Sequence, residues 1–402
     1  MTTTTSAPAL ARIDGIPHLD PVPTFTPVAA RSRGGLPQIT LPSGHTAVHL
    51  TRYRDVHQVL TDTSFGRTET NVDGGPTFLP TIMPKELLLN LDAPDHARIR
   101  RFVTADYSVA GVEALRPVVR ELLAAKLELL RGQERPDLYA TVLDTLPAEI
   151  NGRFLGIPDA DIAYYRPLGH TVQVASHEDV PGLVEDFTAL YVYLSELVAG
   201  ARPRIEGGLI DRFVAGRDAA EPPLEDAELV GILLGSLLGA DQNILSVASK
   251  VLYVLLCRPV LWERLAAEPA IAPKLVEELI RLIPLGNISA FPRLATRRVE
   301  VTDGVIEEGE VVYPDAFQAN RDPEVFADPL TIDPDRAGPR HLQFGYGMHH
   351  CMGAALARME IGELLTTLAR EFPALALDAD PAGLPWDSGV ILRRPVSLPV
   401  RW

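Results

Sequence analysis

Cysteine is almost absent: Cys257 and Cys351 are the only two in 402 residues. Two thiols cannot staple a chain of this length, so a secreted disulfide framework is excluded and a reducing compartment is expected. Long apolar runs are missing too. No eighteen consecutive residues are apolar, and residues 1–6 show neither the basic n-region nor the apolar core of a signal peptide. A cytoplasmic protein with no membrane partner is expected. Basic charge is short, with 37 Lys and Arg against 53 Asp and Glu and a net charge of −16. Neutralising phosphates needs a basic face, so nucleic acid is excluded as a partner. Arg98, Arg100 and Arg101 form a local exception.

Hydrophobic residues make up 46% of the chain, enough for a sizeable core. No internal repeat is evident, and one large α-rich domain over 1–402 is expected. Within it, 1–44, rich in Pro, Thr and Gly, reads as an arm lying over the surface. The stretch Phe344-Gly345-Tyr346-Gly347-Met348-His349-His350-Cys351-Met352-Gly353 organises the rest. It precedes a strongly helical run, 354–368, which places a sulfur at a helix N-terminus. There, unpaired N–H groups and the dipole favour a thiolate. Gly345, Gly347 and Gly353 allow positive φ and close approach to a flat ligand, and Phe344 covers one side of the sulfur. A thiolate beside glycine-cleared space suits a large planar metal cofactor better than a small ion.

Taken in order, 44–50 alternates as a strand and 52–61 reads as a helix. Residues 62–90, with Gly74-Gly75-Pro76, form a long loop of the functional kind. Asp92-Ala93-Pro94-Asp95 is a helix start with Asp92 as capping side chain, and His96 and Arg100 follow on one helix face. From 112 to 216, amphipathic helices are broken at Gly156-Ile157-Pro158, Pro181-Gly182 and Gly207-Gly208, with a mobile connection over 170–180. Residues 229–240 are apolar nearly all round and predict a buried helix. It continues through Asp241-Gln242-Asn243, polar residues that need partners or a wet cavity. Glu278 and Arg281 pair on the helix 273–283. Residues 298–302 and 305–313 are two strands around Asp303-Gly304, and short strands fill the chain from Phe372 on.

The cysteine stretch resembles the haem-binding signature of the cytochromes P450, F-G-x-G-x-H-x-C-x-G, at every specified position. The resemblance spans roughly 45–402 and implies the P450 fold: mainly α with small β-sheets, a single large domain with haem b between two central helices. Cys351 is then the iron ligand. His96, Arg100, Arg293, His349, Phe344, Gly345 and Gly353 are cofactor contacts, with His96, Arg100 and Arg293 on the propionates. Glu278, Arg281 and Arg336, the last in Pro334-Asp335-Arg336, form a structural knot supporting the cysteine loop. Phe78, Ile82, Leu237, Ala240, Asn287, Ile288, Val390 and Ile391 are placed in the substrate pocket.

In this family the central helix carries A-G-x-(D/E)-T, whose acid and alcohol serve proton delivery. Here Gly239-Ala240-Asp241-Gln242-Asn243 puts Gln242 at the acid and Asn243 at the alcohol. A slip of one puts Asp241 at the acid instead, and in both registers the threonine is missing. The implied activity is a monooxygenase inserting one oxygen atom from O2 into a medium-sized, mostly hydrophobic molecule, by hydroxylation or epoxidation, as a natural-product tailoring step. Oxidative coupling, ring closure or peroxide-driven oxidation is the alternative, and a P450-like binding module without turnover is a third reading. Electrons are expected from ferredoxin and an NADPH-dependent ferredoxin reductase, docking at Arg98, Arg101 and His350. The substrate is free or bound to a carrier protein, and the enzyme is expected to be a monomer.

Overall fold

The structure, a computed structural model, describes residues 11–19, 25–77, 83–174, 180–286, 288–387 and 392–402. Phe78, Ile82, Asn287, Val390 and Ile391 lie outside them. The apolar stretch after Leu229 becomes one continuous helix, Asp226–Cys257, 32 residues long. Its start is held by Glu228, which accepts the Glu225 N–H at 2.9 Å in a capping box. Helices Leu146–Leu155, Ile162–Val174, Val180–Val198, Pro259–Ala267, Ala272–Leu282 and Ala354–Glu371 pack around it. Burial of this helix on most sides explains why its sequence shows almost no polar face. It is the one helix among the described residues long and apolar enough to cross a membrane, and 61% of its most apolar window is buried in the protein. At Gly231 an added Cβ would stand 2.4 Å from the Glu86 carbonyl oxygen, so only glycine permits this approach.

Beside the helices lies a six-stranded sheet in the order Thr26–Val28, Gln38–Thr40, Thr46–Leu50, Val311–Pro314, Arg293–Ala295, Phe65–Gly66. Only the pairing of Thr46–Leu50 with Val311–Pro314 is parallel, with Val48 opposite Val312. The described part of the stretch read as a surface arm, 11–19 and 25–44, is therefore not merely one. Ala11–Arg12 pairs with Thr331–Ile332, and two strands join the sheet. Leu36, Ile39 and Leu41 are buried there. Prolines 37 and 42 interrupt the alternation that would have announced these strands, and Pro27 sits on the edge strand, where a missing N–H is tolerated.

Two further boundaries differ from expectation. Asp92 caps no helix: Asp95–Val103 starts after Pro94 without a side-chain cap, while the Asp92 carboxylate accepts the N–H groups of Arg67 and Thr68 at 2.8–3.0 Å. Pro181 and Gly182 do not break a helix but open one, Val180–Val198, where proline fits the first turn. The helix Ile162–Val174 also reaches into the stretch read as a mobile connection.

Candidate active site

Gly345 and Gly347 take positive φ, +67° and +64°, and turn the chain so that the Cys351 N–H donates to the Phe344 carbonyl at 2.7 Å. Gly353 does not: its φ is −80°, and it precedes the first turn of Ala354–Glu371. Cys351 thus sits at a helix N-terminus and receives the Gly353 N–H. It lies deep in the protein yet is exposed, because it faces an internal hollow. Burial pushes its thiol pKa up, outweighing the Gly353 N–H and the charges of Arg100 and Arg358. The dipole alone therefore does not ionise it, whereas coordination to a metal ion does so outright.

Around this hollow gathers a cationic cradle. His96 and Arg100 share a face of Asp95–Val103, and the His96 ring lies 4.5 Å from the His349 ring. Arg293 opens the strand Arg293–Ala295 and is buried. His96 Nδ1, His349 Nε2 and Arg293 Nε are buried without a hydrogen-bond partner among the described residues. Burial and neighbouring positive charge lower His96 and His349 to about 4, and burial alone lowers Arg293 to about 10 against the opposing charge of Asp92. Asp92 is pulled the other way. Burial would raise it, but His349 and the Thr68 and Arg67 N–H groups hold it well below the usual carboxylate range. Arg67, which sequence reading missed, completes the group: it is buried, donates to the Leu89 and Pro292 carbonyls at 3.0 and 2.9 Å, and stacks over Phe291. A lone arginine in a loop carries no signal of this role.

The central helix offers one open side. Gly239 is exposed, with no atom within 4 Å of a Cβ placed there, and Ala240 and Asn243 beside it are half-buried. Gly239 and Asn243 are four residues apart and share that face. Asp241 points the opposite way, and Gln242 turns aside. The Gln242 amide donates to Asp241 at 2.8 Å, its oxygen accepts from Arg394 at 2.8 Å, and Arg166 Nε lies 3.5 Å from Asp241. Arg394 and Arg166 were not singled out from the sequence, because both lie far from the helix along the chain. Leu237 belongs to the main core, 2% exposed, since it too lies on the side away from Gly239. Ile288 is half-buried against the sheet core.

Behind the cysteine loop, Glu278 receives Arg281 through two bonds of 2.8 and 2.7 Å and Arg336 at 2.9 Å. Arg281 also donates to the carbonyl of Asn320, whose side-chain oxygen accepts the Leu342 N–H at 2.6 Å, and Gly345 N–H donates to Leu342 O. This unbroken run of bonds leads from the ion pair into the loop. Arg98, by contrast, is engaged by Glu228 and is not free for docking, while Arg101 is exposed.

A mainly helical fold with a cysteine loop beside a cationic cradle defines a haem-thiolate protein. Residues 208–395 match the family Cytochrome P450. The chain is 35% identical over 386 residues to nocardicin C N-oxygenase of Nocardia uniformis subsp. tsuyamanensis, covering 96% of each chain. It is 33% identical over 362 residues to mycinamicin IV hydroxylase/epoxidase of Micromonospora griseorubida, covering 90% of this chain and 91% of that one. A crystal structure of HinD with NMFT and NO superposes with a TM-score of 0.85 at 33% identity, covering 98% and 100%. The chain belongs to the cytochrome P450 family, and it is an oxidoreductase of the monooxygenase type. The family implies haem, and the residues fit it. Buried nitrogens of His96, His349 and Arg293 without a hydrogen-bond partner suit acidic groups, an accessible thiol suits a metal, and the open space at Gly239 suits a flat ring.

Proposed function

We propose that this P450 inserts one oxygen atom from O2 into a medium-sized, mostly hydrophobic molecule in the tailoring of a natural product, with Asn243 standing where the family keeps its alcohol. The carrying observation is the placement of Asn243 on the open side of the central helix while Asp241 and Gln242 are drawn into the Arg166 and Arg394 cluster. Cys351 would hold the iron, and His96, Arg100, Arg293, His349 and Arg67 would face the propionates. Haem, when bound, supplies the activation of O2 with two electrons. The Asn243 amide both donates and accepts, but it carries no proton transferable at neutral pH. It therefore orients a water or a polar group of the substrate, which must furnish the proton itself. Oxygen insertion is supported by the two relatives named above, an N-oxygenase and a hydroxylase/epoxidase, while a coupling reading is supported by a structure of a P450 with biaryl coupling reactivity at 32% identity.

Two measurements test this reading. Reduced, haem-loaded protein should give the red-shifted Soret band of thiolate ligation with carbon monoxide, and its absence would return the chain to a binding module. In turnover with a substrate found by spectral screening, Asn243→Thr should raise product formed per NADPH severalfold without changing the product. A new product class would instead support coupling or ring closure. Electrons are assigned to a ferredoxin and its reductase. The docking face shifts from Arg98 to exposed Arg101 and to exposed Arg340, the latter's charge being felt at His350.

A further inference from the structure

The helix Ala272–Leu282 carries two adjacent acids facing the cysteine loop. Glu278 is absorbed in the knot with Arg281 and Arg336; Glu277 is not. Its carboxylate receives Arg358 through two N–H bonds of 2.5 and 3.0 Å and lies 3.4 Å from His341 Nε2. His341 Nδ1 accepts the Gln343 N–H at 3.2 Å, so Nε2 bears the hydrogen and lies near Glu277 without a hydrogen bond to it. The Arg358 guanidinium lies 4.6 Å above the centre of the Phe344 ring, and its charge reaches Cys351 and His350. His341 closes on the same ring, centroids 5.5 Å apart. Glu277 thus holds Arg358, with His341 beside it, against the aromatic ring that opens the cysteine loop.

We propose that Arg358 and Glu277 form a charge pair that sets how readily the iron held by Cys351 accepts an electron, Arg358 favouring reduction and Glu277 moderating it. The inference rests on Cys351 being the haem ligand. The step concerned is one electron passing from the ferredoxin-class donor to the iron, which is reduced as the donor is oxidised; no bond forms or breaks. Reduction adds one negative charge beside the sulfur. A cation stacked on Phe344 stabilises that charge, and a carboxylate on the cation's far side partly cancels the effect. The two side chains are 36% and 39% exposed, so solvent screens the pair and the effect is moderate. Both are positioning residues that act through Phe344 and the sulfur.

The test is a dye-coupled reductive titration of haem-loaded wild type, Glu277→Gln, Arg358→Met and Arg358→Lys, each checked by its carbon-monoxide spectrum. Glu277→Gln should shift the reduction equilibrium toward the reduced form by about three- to tenfold, tenfold being about 59 mV for one electron. Arg358→Met should shift it the other way by a similar factor, and Arg358→Lys should stay near wild type. Equal-signed shifts in Glu277→Gln and Arg358→Met would overturn the proposal, because loosened packing of Phe344 would then be the cause. So would unmoved potentials in both. Should Arg358→Met fail to take up haem, Glu277→Gln alone decides, since it keeps the cation over the ring. A wild type lacking the red-shifted band would overturn the haem-thiolate reading and this inference together. An intact band with unmoved potentials overturns this inference only.

Discussion

His96 shows most directly how the buried cluster of histidines and arginines costs stability. Burial and the nearby charges of His349 and Arg100 depress it to about 4, from 6.5 in an unfolded chain. Below pH 6.5 the unfolded histidine binds a proton that the folded one refuses until about pH 4. Stability is therefore complete above that window and falls through it, by at most about 1.4 kcal/mol per pH unit for one histidine. Denaturant titrations of haem-free protein at pH 7 and 5 should show the loss, and His96→Phe should shrink it. Loading with haem should shrink it too, because acidic groups beside the ring favour its charged form. The His96 and Arg100 spacing is visible in the sequence. That they converge with Arg67, some thirty residues before them, and Arg293, some two hundred after, is not.

At the scale of elements, the Glu278 knot and the central helix carry the clearest expectations. Glu278 and Arg281 are buried, with side chains 5% and 3% exposed. Removing one charge strands the other, which costs about 3–5 kcal/mol. Glu278→Gln should therefore lower the denaturant midpoint sharply and reduce haem retention together, because the bonds through Asn320 lead into the cysteine loop. Gly231→Ala places a methyl against the Glu86 carbonyl, and overpacking of this kind costs about 1–3 kcal/mol. A fall in melting temperature without change in the carbon-monoxide spectrum of surviving protein would place the damage in the helix rather than the site. Helices were the most legible elements, since the 3.6-residue pattern and the buried apolar run survive in the sequence. The short strands were least so, because two or three residues leave no period to read.

Across the whole molecule, the residues before 45 contribute to the same sheet as residues 293–314. Ile39 is 3% exposed beneath that sheet. Ile39→Ala should cost about 2–5 kcal/mol, measurable by denaturant unfolding, whereas an arm lying on the surface would tolerate the change. The sequence by itself determined the family, the cysteine loop at a helix start, the Glu278–Arg281 pair and the departure at Asn243, because each is written in residues close along the chain. Only the tertiary structure decided that Asn243 stays half-buried on the side of exposed Gly239 while Gln242 is bonded to Asp241 and Arg394, that Arg98 is already engaged, and that Glu277 holds Arg358 over Phe344. Those facts depend on which distant side chains arrive opposite one another. That meeting is set by how the helices and the sheet pack together, not by any local pattern.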